Sequence, residues 1–469
     1  SWSPDLGNGR YDFGERFIDG NKQYNEGERF NDANGNDTYD PGEIFIDKKN
    51  KKYDSDGSII IRLRKEINLM VKNSIDTMNY DKKFILDLLK NSKEIPSYLR
   101  KEFLIQGSVV VLDVETGNVI AMIGGRQERN YVDFFNRSSR ALRQPGSVFK
   151  PFVYMTALES YDYQDRPFSP NYKIQNQKFS IIDGPRDYQP ENFDGKTGGE
   201  KTLREGLKKS INLIAVRLIS KIRNGPEKVK DMAEDFGISS SIYPGEAIAL
   251  GASSVYPLEI TAAYSAISNN GVYMRPNYFY KIDNNLGSTI KELDFEDNYA
   301  NPNEASIYLI RDMMRDVVRD GTAQSLRWKY KFNSPVAGKT GTTNNRTDAW
   351  FVGFTPQVCI GVWVGMDNPA VSIKKYGSEA ALPIFAETIK KIYDFGEYSL
   401  GNGKSRKLDS KLDWEFPKSG IVTKEICVES LKISNKYCNT KSGVQNEIFL
   451  ENHIPSDKCN IKSHISRFK

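Results

Sequence analysis

The sequence predicts a mixed α/β fold of the α+β kind, with one antiparallel five-stranded sheet assembled from both ends of a domain and flanked by helices. Three observations carry this. Strand-like runs at 109–114 and 119–123 are joined by the turn Glu115-Thr116-Gly117-Asn118. Three more strand-like runs, at 336–343, 349–354 and 358–366, lie far along the chain. Between the two groups, 147–160 and 203–222 have helical periodicity, and a further helix is expected at about 381–394.

Four segments follow in order. Residues 1–57 form an acidic repeat. Residues 58–105 read as a linker or pedestal, with a β-rich start at Ile59-Ile60-Ile61 and helical spacing through Ile67, Met70, Val71 and Ile75. Residues 106–395 hold the sheet and its helices. Residues 396–420 are polar and rich in Gly, Ser and Lys, as expected of a linker, and the remainder to 469 is a small Cys-containing tail.

Composition excludes several classes. With 38% hydrophobic and 27% charged residues the chain has the make-up of a folded protein, not a disordered one. No run approaches the roughly 18 apolar residues of a membrane helix. The net charge of +5 is too mild to call for a nucleic-acid partner. Starting at Ser1 without a signal-peptide pattern, the chain reads as a processed product or a fragment, and any membrane attachment is expected through a segment outside it. Only two histidines occur, His453 and His464, so a His-dependent triad or His-based metal centre in the body is excluded.

Nucleophilic catalysis without histidine needs another base, and a lysine serves if burial or a nearby positive charge lowers its pKa. A serine and a lysine three residues apart share a helix face. Ser147-Val148-Phe149-Lys150 fits, with Pro145-Gly146 placing Ser147 at a helix N-terminus, where the dipole favours a developing oxyanion. The spacing alone is not selective, because Ser288/Lys291, Ser372/Lys375 and Ser466/Lys469 share it. Taken by itself, Ser147 reads more simply as a helix cap.

Two further motifs change the weighting. Ser210-Ile211-Asn212 interrupts an amphipathic stretch, where polar residues sit badly unless they face a cleft. Lys339-Thr340-Gly341-Thr342-Thr343 lies on a predicted strand, and a strand glycine marks close approach of another backbone or a ligand. Look-alikes exist at Ser169-Pro170-Asn171, Ser268-Asn269-Asn270 and Lys196-Thr197-Gly198. Order and context select Ser210 and Lys339.

In that order, Ser147-x-x-Lys150, Ser210-x-Asn212 and Lys339-Thr340-Gly341 resemble the three motifs of penicillin-binding proteins and serine β-lactamases. The flanking Arg143-Gln144-Pro145-Gly146, Tyr188-x-Pro190-x-Asn192, Gly321-Thr322-Ala323 and Asp348-Ala349-Trp350-Phe351 resemble the transpeptidase domain of class A (bifunctional) penicillin-binding proteins. The resemblance covers 58 to about 395, and more loosely 449–459. It implies the sheet above plus an all-helical subdomain, a periplasmic location, and no cofactor for catalysis. It also implies peptidoglycan stem peptides as donor and acceptor, and β-lactams as covalent inhibitors.

By the same resemblance, Ser147 attacks the carbonyl between two D-alanines and Lys150 accepts its proton. Ser210 relays a proton to the leaving amine, supported by Lys339, which also keeps the Lys150 pKa low. Asn212 holds the substrate amide. The backbone N–H groups of Ser147 and Thr342 form the oxyanion hole, while Thr340, Gly341 and Thr342 line the site, the two threonine hydroxyls binding the terminal carboxylate. Two departures stand out: the Glu-Asp-x-x-Phe-x-x-His signature of the glycosyltransferase domain is missing, and the acidic repeat lies where the family has a short connection. A D,D-carboxypeptidase, or a β-lactam-sensing or scaffolding module without turnover, remain alternatives. A β-lactamase is disfavoured by chain length and by the lack of a glutamate motif for deacylation.

The first 47 residues hold 11 acidic and four basic side chains, leaving −7 there and +12 in the rest. They repeat Tyr-Asp/Asn-x-Gly-Glu-x-Phe-x-Asp from Tyr11, Tyr24 and Tyr39. Asp32, Asn34, Asn36, Asp40 and Glu43 fall at positions 1, 3, 5, 9 and 12 of an EF-hand-type calcium loop, although position 6 is Asp37, not Gly. A solvated acidic spacer is the other reading. Cys359 is expected to be a buried thiol. Among Cys427, Cys438 and Cys459 one disulfide would suit an oxidising compartment; spacings of 11 and 21 without a C-x-x-C element disfavour zinc.

Overall fold

The computed structural model describes residues 104–126, 133–183, 186–279, 281–292, 297–299, 303–369, 371–401, 404–438 and 443–461, with the backbone of 29–31 and 44–46. They fall in two units, 1–100 and 101–469. In the first, β1 (Arg29–Asn31) pairs antiparallel with β2 (Ile44–Ile46), Phe30 opposite Phe45. The expected calcium ligands Asp32, Asn34, Asn36, Asp40 and Glu43 lie outside the described residues, as does nearly all of 58–105.

The second unit is built on the predicted sheet. Its strands are β3 (Gln106–Asp113), β4 (Val119–Ile123), β5 (Ala337–Thr342), β6 (Asp348–Phe354) and β7 (Val358–Gly365), in the spatial order β5-β6-β7-β3-β4 and antiparallel throughout. The register sets Val358 opposite Asp113 and Gly365 opposite Gln106, so the two ends of the domain meet along a full strand. β7 is buried along its whole length, as a central strand covered on both faces must be.

Side-chain alternation divides the core in two. Val110, Leu112, Trp350, Val352 and Trp363 face a large helical layer. That layer comprises α1 (Lys150–Leu158), α2 (Leu203–Lys208), α3 (Asn212–Lys221), α4 (Gly225–Asp235), α5 (Pro257–Ser268) and α6 (Glu304–Arg319). Val109, Val111, Phe351, Ile360 and Val362 face the opposite way, onto Leu382, Phe385 and Ile389 of α7 (Gly377–Phe395). α6 shows why these segments are helical: Asn303 caps it by accepting the Ser306 N–H at 2.8 Å, and Ile307, Ile310, Met314 and Val317 line one buried stripe. Among the described residues, no helix is long and apolar enough to cross a membrane.

Two expectations change. The helical stretch 203–222 is two helices, broken at 209–211, where Ser210 adopts a left-handed φ of 57°. Residues 396–420 are not a loose linker. β8 (Glu397–Gly401) pairs with β9 (Lys404–Lys407), Tyr398 Oη donates to Asp113 Oδ2 at 2.7 Å, and Trp414 Nε1 donates to Ser268 O at 3.2 Å with Arg311 stacked on its ring. The polar composition hides these spaced anchors. Beyond them, β10 (Ile421–Cys427) and β11 (Val444–Leu450) form a hairpin. It is tied to the helical layer by Arg204, which binds Glu447 at 2.6 Å, Asp316 at 2.8 Å and Asp312 at 2.8 Å.

Candidate active site

Ser147 lies in a 3-10 turn (Gly146–Phe149) that runs directly into α1, so the serine sits at the head of a helix. Gly146 reaches φ 57°, and a Cβ there would come within 2.9 Å of Thr342 O. Gly341 is the reciprocal close approach: a Cβ on it would strike Pro145 O and Val148 Cγ2, both at 2.6 Å. The edge strand β5 is thus pressed against the turn that carries Ser147, and only glycine permits it. Ser147 is half-buried, while Lys150, one turn on, is fully buried.

The break between α2 and α3 delivers the second motif. Lys150 Nζ donates to Asn212 Oδ1 at 2.7 Å, to Ser210 O at 2.8 Å and to Ser210 Oγ at 3.3 Å. From β5, Lys339 Nζ donates to Ser210 Oγ at 2.8 Å and to Thr340 O at 3.1 Å. One hydroxyl therefore sits between two buried amines. Burial, and then the nearby charge of Lys339, hold the Lys150 pKa well below the usual lysine range. Burial alone brings Lys339 down to about 7. A partly neutral amine is what a general base requires.

Supporting residues fix this geometry. Asn212 Nδ2 donates to Glu191 O at 2.8 Å, and Asn192 Oδ1 accepts the Leu213 N–H at 3.0 Å, so the loop around Pro190 orients the start of α3. Thr340 and Thr322 share a 2.6 Å hydroxyl contact, which places the Gly321-Thr322-Ala323 segment behind β5. Asp348 is a buried hub: Oδ1 accepts from Arg143 Nε at 2.7 Å and Trp363 Nε1 at 2.9 Å, and Oδ2 from Thr347 Oγ1 at 2.9 Å. It joins the segment ahead of Ser147 to the sheet.

The structure thus brings Ser147, Lys150, Ser210, Asn212, Lys339, Thr340, Gly341 and Thr342 together. The look-alike Lys196 lies exposed on a loop, and Ser169 is buried against Asn171. Sequence reasoning missed the N-terminus of α7, where the Gly377 N–H donates to Thr342 Oγ1 at 3.1 Å. It also missed the ring contact of Phe193 with Tyr376, centroids 5.3 Å apart, with Arg346 over the Tyr376 ring. The signal was a Tyr-Gly pair opening a helix, unremarkable without its partners.

Comparisons with known proteins show the family. Residues 107–390 match the family described as the penicillin binding protein transpeptidase domain. The chain is 34% identical over 318 residues to penicillin-binding protein 1A of Rickettsia typhi, covering 62% of this chain and 38% of that protein. Against the Aquifex aeolicus penicillin-binding protein 1A it is 34% identical over 342 residues, covering 71% and 42%. The chain thus spans well under half the length of these relatives. Among solved structures, penicillin-binding protein 1A from Haemophilus influenzae superposes with a TM-score of 0.63 at 25% identity, covering 76% of this chain and 55% of that one. The fold of penicillin-binding protein PonA1 from Mycobacterium tuberculosis is also similar, with a TM-score of 0.53 at 24% identity, covering 67% and 80%.

Proposed function

We propose that this chain, which belongs to the penicillin-binding protein transpeptidase family, is a serine D,D-transpeptidase that cross-links peptidoglycan stem peptides. The observation that carries the reading is the Ser210 hydroxyl held between buried Lys150 and Lys339 beside the Ser147 turn. Neutral Lys150 takes the Ser147 proton as Oγ attacks the penultimate D-Ala carbonyl. The oxyanion is received by the N–H groups of Ser147 and Thr342. Collapse expels D-Ala, its amine protonated through Ser210, which Lys150 and Lys339 both contact. An acceptor amine then attacks the ester on Ser147 and forms the cross-link. Asn212 aligns the donor amide, and Thr340, Thr342 and Lys339 receive its carboxylate. A β-lactam follows the same first step and remains on Ser147.

In this reading the chain is the C-terminal part of a bifunctional peptidoglycan synthase, working at the extracytoplasmic face of the inner membrane without a catalytic cofactor. Intact mass after incubation with a penicillin tests it. A gain equal to the drug, absent in Ser147→Ala, is expected; no gain with no drug hydrolysis would overturn it. A pentapeptide donor with an added amine acceptor then separates the alternatives. A transpeptidase yields the cross-linked product, a carboxypeptidase releases D-Ala only, and a sensor does neither.

The acidic repeat carries a second, sequence-based proposal: Asp32, Asn34, Asn36, Asp40 and Glu43 bind a structural Ca2+. A calcium titration is expected to change circular dichroism and raise the melting temperature, and an Asp40→Ala/Glu43→Ala variant to abolish both effects. A flat titration would leave a plain acidic spacer.

A further inference from the structure

The C-terminal hairpin carries a feature that the transpeptidase chemistry does not use. The sulfurs of Cys427, Cys438 and Cys459 all lie within 4.8 Å of one another, and the three residues are 0%, 6% and 4% exposed. They come from three separate segments. Cys427 ends β10, opposite Val444 of β11. Cys438 sits in a turn, its N–H bonded to Asn435 O at 3.0 Å. Cys459 is drawn in by its N–H to Ile433 O at 2.8 Å, and by Asn435 Nδ2 donating to its carbonyl at 2.6 Å. Ile433 bridges both Ile426 and Lys458, so one short segment gathers all three.

We propose that Cys427, Cys438 and Cys459 form a structural site for a thiophilic divalent cation, zinc being the expected ion. Sulfurs about 3.7 Å apart surround a tetrahedral zinc with bonds of about 2.3 Å, a contraction that small side-chain rotations supply. The fourth position falls to water or an oxygen donor. The absence of a C-x-x-C element made zinc unattractive on spacing alone; tertiary convergence replaces that element.

Three observations favour a metal over one disulfide. A disulfide uses two sulfurs and strands the third inside the cluster, whereas a metal engages all three. A backbone N–H already points at sulfur: Asn435 N–H donates to Cys438 Sγ at 3.4 Å, the kind of outer hydrogen bond that orients a thiolate ligand. Finally, among the described residues this end of the hairpin has little core of its own. Its apolar cluster consists of the three cysteines, with half-buried Val444 and Ile461 against it. A lobe this small gains order from a staple.

The site is tested on the full chain, purified reduced and metal-free, then titrated with zinc and separately with cobalt(II). About one zinc per chain is expected. Cobalt should give a thiolate-to-metal charge-transfer absorption, which an oxygen-ligand site such as a calcium loop cannot produce. Cys438→Ser should lose that band and Cys359→Ser should keep it, with circular dichroism reporting that each variant is folded. If Cys438→Ser does not fold, the wild-type spectrum and the zinc-dependent protection of all three tail thiols from alkylation decide alone. Reduced protein that takes up neither metal overturns the proposal. So does a protein isolated without reductant whose denatured mass is two hydrogens light, with two tail cysteines joined and no metal bound.

Discussion

Lys339 Nζ donates to Ser210 Oγ at 2.8 Å across 129 residues of sequence, and Lys150 approaches the same oxygen from the other side at 3.3 Å. Two amines, one from the helix that follows Ser147 and one from the edge strand, converge on one hydroxyl, and in the proposed mechanism this contact serves as the proton path. Each lysine alone in a dry site would be costly. Burial lowers the basicity of both, and at Lys150 the nearby charge of Lys339 lowers it further.

In the proposed mechanism, removing the shared hydroxyl breaks that path while leaving Ser147 in place. Ser210→Ala is expected to slow acylation by a penicillin by about 10²-fold or more, the usual scale of a lost proton-transfer group. Stopped-flow or mass-resolved acylation rates would show it, and a rate unchanged within a few-fold would take Ser210 out of the relay.

Lys339 carries a pH signature. With its pKa brought to about 7 by burial, the folded protein loses this proton near neutrality while the unfolded chain keeps it to about 10.5. Over that window the unfolded state binds more protons, so the Lys339 contribution makes stability rise with pH. Lys339→Met should be more stable than wild type near pH 7, and the gap should close toward pH 10 in paired thermal melts. Acylation should fall above about pH 7 as the ammonium that attracts the donor carboxylate is lost. An acylation rate flat from pH 6 to 9 would argue against that role.

Asp348 holds Arg143, Trp363 and Thr347 from a buried position. Asp348→Ala strands the Arg143 guanidinium and should cost about 3–5 kcal/mol, the range for breaking a buried pair. Because the pair braces the segment before Ser147, acylation should weaken along with the melting temperature. Asp348→Asn, which keeps one acceptor, should lose less on both measures.

Glu447 binds Arg204, which also binds Asp312 and Asp316. Glu447→Ala leaves Arg204 two carboxylates, so the main domain should stay folded and still be acylated. The hairpin loses its ionic tie and should be cut faster by a protease. Limited proteolysis followed by mass mapping within 421–461 would read this out, and unchanged cleavage would mean the apolar contacts of Ile421 and Leu450 suffice.

The sequence by itself determined the family motifs and most of the scaffold. Alternation marked the strands, and the glycine in Lys339-Thr340-Gly341 announced a close approach, which the structure shows to be the Pro145–Val148 turn. Such features are local, written in neighbouring residues. Tertiary structure alone decided where 203–222 breaks, because the left-handed Ser210 is worth its strain only with two lysines waiting for it. It alone made Asp348 a hub and turned 396–420 into an anchored strap. It also drew three widely spaced cysteines together. In each case the partners lie far apart along the chain, and a contact of that kind leaves no periodicity or short motif in the sequence to read.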